Sequence, residues 1–161
     1  MQTYYWYGGM RSGDFRPKCA KCESPINKLL AYDTNILIYA LEGTSPLAQA
    51  AQSIVKKGEH DGAVLSVLAW QELMTGAALR SKGLAEQLAA ALSDLQATKF
   101  VPVNLAICEQ AVNLTRRYGK ALYGYDAVHI ATALVYKAEA FVTNDKTLIS
   151  LQPDELIIRS L

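Results

Sequence analysis

The feature that most limits what this chain can fold into is its alternation of short apolar runs with longer stretches of helical period. Residues 29–32, 63–67, 100–103, 140–143 and 156–158 are apolar runs too short for a stable helix, without the polar alternation of a half-exposed strand. Such runs suit strands buried on both faces. Between them, Ser45-Pro46 supplies an N-cap hydroxyl and a proline at the first helical position, and Leu47, Ala50, Ala51, Ile54 and Val55 recur on one face. Lys56, Lys57 and Gly58 are expected to close that helix. Trp70, Leu73, Met74, Ala77 and Ala78 mark a second helix, and Leu84, Leu88, Ala91, Leu92 and Leu95 a third, with Gly83 expected at the turn between them. Asn104 is placed to cap a helix whose inner face reads Ile107, Cys108, Ala111, Val112 and Thr115, and a helix over 126–137 carries Ala127, Ile130, Ala131, Leu134 and Val135. Residues 36–41 fit either a continued strand or a helix. The order predicts an α/β fold in three layers, α/β/α, with a mostly parallel central sheet.

The 161 residues suffice for one domain, and 51% hydrophobic against 19% charged residues excludes global disorder. A formal charge of +1 hides an asymmetry. Residues 1–28 carry five basic and two acidic groups, with an aromatic cluster and scattered glycine and proline, and read as an atypical extension, disordered or the product of a start assigned too early. The domain is expected over 29–161, which is slightly acidic, so a polyanionic partner would have to be held by local clusters and bound metal. Three cysteines are too few for a disulfide scaffold and fit a reducing compartment. With no apolar run of membrane-spanning length and no signal-peptide pattern, a cytoplasmic location is expected and a membrane partner is not.

Four acidic residues fall where such a fold gathers ligands, beyond the carboxyl ends of its strands. Asp33 ends the first apolar run, Glu72 lies in the first turns of the helix after the second, Asp126 begins a helix, and Asp145 follows the fourth run by two positions. Clustered carboxylates repel and raise one another's pKa unless a cation is shared. Magnesium or manganese, which favour oxygen ligands and retain water, would resolve the conflict and suit phosphodiester hydrolysis by metal-activated water. The plainer reading is that Asp126 and Asp145 are helix N-caps and Glu72 faces solvent.

The words around these acids resemble the PIN-domain nucleases, and among them the VapC-type toxins of type II toxin–antitoxin pairs. Tyr32-Asp33-Thr34-Asn35, Glu72-Leu73 with Gly76 and Ala77, Asp126-Ala127 with His129-Ile130-Ala131, and Thr143-Asn144-Asp145-Lys146 occur in the family's order across 29–161. The resemblance implies a Mg2+- or Mn2+-dependent endoribonuclease with Asp33, Asp126, Asp145 and Glu72 at the catalytic metal site, Glu72 directly or through water. It implies support from Thr34, Asn35, Thr143, Asn144 and His129. It also implies a homodimer held in check by a cognate antitoxin, with operator DNA reached only through that antitoxin. A PIN-like nuclease of RNA processing or DNA cleavage, or a non-catalytic protein retaining the fold, are the competing readings.

Arg116, Arg117, Lys120 and Tyr125, with Arg80 and Lys82, are the candidates for RNA contact, through phosphate pairing and base stacking. A solvated helix end explains Arg116 and Arg117 as well. His129, three residues after Asp126, reads as a packed or supporting histidine rather than a proton-transfer group, and His60 as exposed. Cys108 reads as a buried small hydrophobe. Cys19 and Cys22 have half the spacing of a zinc site and no second pair to complete it, short of a site shared across a dimer.

Overall fold

The computed structural model describes residues 29–151 and 153–161; the extension at 1–28, with Cys19 and Cys22, lies outside the described residues. The chain runs β1 (Leu30–Tyr32), α1 (Thr34–Glu42), α2 (Pro46–Asp61), β2 (Ala63–Ser66), α3 (Val67–Arg80), α4 (Lys82–Ser93), β3 (Thr98–Val101), α5 (Leu105–Tyr118), a 3-10 turn (Gly119–Ala121), α6 (Gly124–Val135), β4 (Ala140–Val142), α7 (Lys146–Ser150) and β5 (Ile157–Arg159). The sheet has the order β3-β2-β1-β4-β5, and each pairing is parallel. The three-layer α/β/α architecture is therefore present.

Strand order decides which helices cover which face. The chain steps from β1 outward to β2 and β3, then crosses back to set β4 against the free side of β1. Crossovers of one hand place the helices of these opposite progressions on opposite faces. Side chains of β1, β2 and β4 alternate accordingly. Leu30, Tyr32, Ala63, Leu65, Ala140 and Val142 join a core with Leu37, Ala51, Leu73 and Leu88 from α1 to α4. Ala31, Val64 and Phe141 point the other way, into a core with Ile107, Leu114, Ile130 and Leu148 from α5 to α7. With both faces covered, β1 has no polar face to show.

Local signals set most element ends. Ser45 Oγ accepts from Ala48 N at 3.2 Å and Asn104 Oδ1 from Ile107 N at 3.1 Å, as the caps predict. Residues 36–41 are helical, part of α1. Several expectations need correction. The helix after Ser45 does not close at Lys56-Lys57-Gly58 but continues to Asp61, where Gly62 at φ 95° ends it. Gly58 is instead a close-approach position, since a Cβ there would lie 3.2 Å from the Tyr32 ring. The turn between α3 and α4 sits at Ser81, which donates its N–H to Ala77 O and caps α4 through Leu84 N, so Gly83 lies inside α4. The third strand is Thr98–Val101, two residues earlier than its apolar run, because Pro102 cannot donate to a ladder.

The inner face of α5 is also rotated from expectation. Ile107, Ala111 and Leu114 are buried, whereas Cys108 is exposed and Val112 is 50% exposed. This helix carries apolar residues on two neighbouring strips, and only one can meet the sheet. Trp70, at 40% exposure, and Val135, at 37%, likewise sit at the edges of their faces. Arg116 and Arg117 stand in the last turn of α5, and α6 starts at Gly124, two residues before Asp126. No helix among the described residues is long and apolar enough to cross a membrane.

Candidate active site

In an open parallel sheet the crevice for ligands opens where the strand order reverses, at the carboxyl ends of the strands. Here that point lies between β1 and β4. Asp33 follows β1 directly, and its backbone N–H donates to Val142 O at 2.9 Å, so the exits of the two strands are stitched together. The Asp33 carboxylate is 8% exposed. Its Oδ2 accepts from Asn35 Nδ2 and from Thr143 Oγ1, both at 2.7 Å. Thr143 Oγ1 accepts in turn from Asn35 Nδ2 at 3.2 Å and from Asp145 N at 3.0 Å, while Asn35 Oδ1 accepts from Asn144 N at 3.3 Å. Asp33, Asn35, Thr143, Asn144 and Asp145 thus form one network across the crevice.

Asp145 does two jobs. Its Oδ1 caps α7, accepting from Thr147 N at 2.6 Å and Leu148 N at 3.3 Å, while its charge remains close enough to Asp126 to act on it. The N-cap reading of Asp145 therefore holds, and does not remove it from the site. Asp126 is no cap; it stands in the first turn of α6, after Tyr123.

Glu72 and His129 approach from opposite layers. Glu72, in α3, receives Thr34 Oγ1 at 2.6 Å and His129 Nε2 at 3.0 Å. His129 is 4% exposed and projects from α6 on the face that carries Asp126 three residues earlier. Sequence reasoning tied His129 to Asp126 and Thr34 to the acids in general; their shared partner, Glu72, is 57 and 38 residues away, and no local spacing reports a contact of that range.

The electrostatics record the convergence. Burial raises the Asp33 carboxyl above its ordinary value, against hydrogen bonding from Thr143. Asp126 is also raised, first by partial burial and then by the charges of Asp33, Asp145 and Glu72, against the opposing influence of His129. Burial acts on Glu72 in the same direction, but the hydrogen bonds from His129 and Thr34 outweigh it and hold this carboxyl below its usual range. One neighbourhood therefore contains four carboxylates, two of them strained by the others or by burial.

Among the described residues, no group of three or more His, Cys, Asp or Glu side chains is placed to hold a metal ion. The donor chemistry nonetheless fits a hard dication. The acids offer oxygen, His129 Nε2 is engaged by Glu72, and a small cation that keeps much of its water needs only a few protein oxygens.

The basic candidates are dispersed. Arg117 pairs with Asp154 at 2.9 Å and lies 5.3 Å over the Tyr118 ring. Arg116 borders a groove of about 450 Å³ with Leu105, Cys108 and Val112. Lys120 lines another of about 640 Å³ with Thr115, Gly119 and Tyr123. Tyr125, 49% exposed, adjoins Asp126. Lys82 faces Glu86 at 3.8 Å, and Arg80 ends α3, roughly 12 Å along the helix axis from Glu72 at the usual rise per residue.

Known structures share this architecture. A toxin–antitoxin complex from Klebsiella pneumoniae superposes with a TM-score of 0.59 at 24% identity, over 78% of this chain and 92% of that one. VapBC2 from Rickettsia felis, bound to a DNA fragment from its promoter, gives 0.64 at 18% identity over 82% and 98%. FitAcB from Neisseria gonorrhoeae gives 0.62 at 17% identity over 81% and 95%. No curated protein matches in sequence. The sequence profile of the PIN domain matches residues 31–152, which span the sheet from β1 through α7 and include all four acids of the crevice. With that match covering most of its length, the chain belongs to the PIN domain family.

Proposed function

We propose that this protein is a Mg2+- or Mn2+-dependent endoribonuclease and the toxin of a toxin–antitoxin pair. The observation that carries the reading is that Asp33, Glu72, Asp126 and Asp145, from four separate parts of the chain, are gathered about the carboxyl ends of β1 and β4, where burial and the charges of the other three raise the Asp126 carboxyl. A fold gains nothing from gathering like charges unless a cation or a cationic transition state is to be met there. A bound dication would activate water and offset charge on the scissile phosphate. Asp33, Asp126 and Asp145 would hold it, with Glu72 ligating directly or through water. Asn35 and Thr143 keep the Asp33 carboxylate oriented, and Asn144 braces the Asn35 amide.

The toxin assignment draws on the family resemblance and on the likeness to a protein solved as a toxin–antitoxin complex and to VapBC2, solved on a DNA fragment from its promoter. On this reading a cognate antitoxin covers the crevice and supplies any operator contact, the chain forms a homodimer, and Lys120, Tyr125 and Arg116 border the path of the RNA. Arg117, Arg80 and Lys82 would add further contacts, Arg117 pairing with Asp154 and Lys82 with Glu86 in the absence of RNA. The test is to incubate total RNA with purified protein and Mg2+ beside Asp126→Asn and to sequence the products. Discrete cuts with 5′-phosphate ends, reduced at least about 100-fold in the variant, are expected, as for loss of a group stabilising the transition state. Equal cleavage by the variant would overturn the reading.

A further inference from the structure

We propose that Thr34 and His129 are positioning residues for Glu72, engaging one oxygen of its carboxylate so that the residue acts in the crevice through the other alone. The inference rests on the hydrolase reading above and adds to it a specific role for two residues.

Both donors converge on the same atom. Thr34 Oγ1 lies 2.6 Å and His129 Nε2 3.0 Å from Glu72 Oε2, and no hydrogen bond reaches Oε1 among the described residues. The donors are 7% and 4% exposed, while the Glu72 side chain is 32% exposed. Two buried groups therefore grip the inner oxygen of a carboxylate whose outer part reaches the rim. They come from different layers: Thr34 is the first residue of α1, Glu72 lies in α3 and His129 in α6. The grip is built by the tertiary fold and holds only if those three helices keep their places.

This arrangement limits what Glu72 can do. To chelate through both oxygens it would have to give up two hydrogen bonds to a charged acceptor, which are the stronger kind. A single presented oxygen suits a small cation that keeps near-octahedral geometry and its own water, and is a poor match for a large cation that takes carboxylates through both atoms. An ionised carboxylate only accepts, so His129 Nε2 carries the proton in this contact and is not available to remove one from water. A histidine acting as general base would have to face the crevice with that atom unengaged.

Four variants test the grip. Thr34→Val removes a hydroxyl at nearly constant volume and His129→Leu removes the imidazole, whereas Thr34→Ser and His129→Gln each restore a donor at the matching position. Circular dichroism checks folding, calorimetry measures Mn2+ affinity, and single-turnover cleavage gives the rate. Thr34→Val and His129→Leu are expected to lose about 10–100-fold in Mn2+ affinity or in rate, the usual effect of removing a group that orients a ligand. Thr34→Ser and His129→Gln should recover to within about fivefold, since an amide donates as well as the imidazole does. If His129→Leu does not fold, Thr34→Val decides. Wild-type Mn2+ affinity and rate in Thr34→Val would overturn the proposal, and so would a His129→Gln protein as inactive as His129→Leu, which assigns proton transfer instead. Should the wild type neither bind Mn2+ nor cleave RNA, the hydrolase reading fails; should it do both, lose both in Asp33→Asn, and yet tolerate Thr34→Val, only this inference fails.

Discussion

Single carboxylates in this protein carry opposite loads. Glu72 is eased below its ordinary pKa by two donors, whereas Asp126 is pushed above it by partial burial and three neighbouring negative charges. A carboxyl raised in the folded state stabilises the fold fully when protonated, below its unfolded pKa, and that contribution is lost as pH rises through the folded pKa. At neutral pH Asp126 therefore opposes folding of the metal-free protein. Asp126→Asn should melt at a higher temperature than the wild type at pH 7 in chelator, with the advantage shrinking as pH falls through the acidic range; thermal unfolding across pH checks this, and an unchanged or lower melting point at pH 7 would count against the charge cluster. Asp33, Asp126 and Asp145 were legible in the sequence because each sits just past a strand or at the start of a helix, whereas Glu72, the sixth residue of α3, stood out only through the family resemblance. The partners of Glu72 were not legible, because Thr34 reaches Glu72 and His129 reaches Glu72 only after α1, α3 and α6 have packed.

At the level of elements, α2 and β3 are joined by a polar relay at the end of the sheet opposite the crevice. Tyr32 Oη donates to Thr98 Oγ1 at 3.0 Å, and Thr98 donates to Glu59 Oε1 at 2.5 Å. Glu59 Oε2 also accepts from Ala97 N at 3.0 Å. Burial, with the Glu59 charge adding and Thr98 opposing, pushes the Tyr32 phenol up to about 12, so it stays a neutral donor. Thr98→Val should leave a buried phenol unpaired and destabilise by about 1–3 kcal/mol in urea unfolding, without altering cleavage. Helix starts were the most readable elements, since Ser45 and Asn104 announce caps chemically. The rotation of α5 was not readable. Its two apolar strips are equivalent in pattern, and contact with α6 and the sheet chose Leu114 over Cys108 and Val112.

For the whole molecule, a cation shared by residues from β1, α3, α6 and the β4–α7 link would bind the folded state and not the unfolded one. Mn2+ at about 100 times its dissociation constant should then add roughly 2.7 kcal/mol, or about 5–10 °C in Tm for a domain of this size, and the gain should vanish in Asp33→Asn. An equal rise in the variant would place the ion elsewhere. By itself the sequence determined that five short strands alternate with helices, that those helices must cover both faces of a parallel sheet, and that Asp33, Asp126 and Asp145 stand near element ends, although β5, expected to be buried, lies at the sheet edge with Ile157 52% exposed. These properties depend on neighbours within a few residues, where periodicity, capping and proline act. Tertiary structure alone decided that β4 lies against β1, which brings Thr143 to Asp33, and that α3 and α6 meet over the strand ends, which brings His129 to Glu72. Those contacts span 110 and 57 residues, and only the closing of the sheet and its helical layers makes them neighbours.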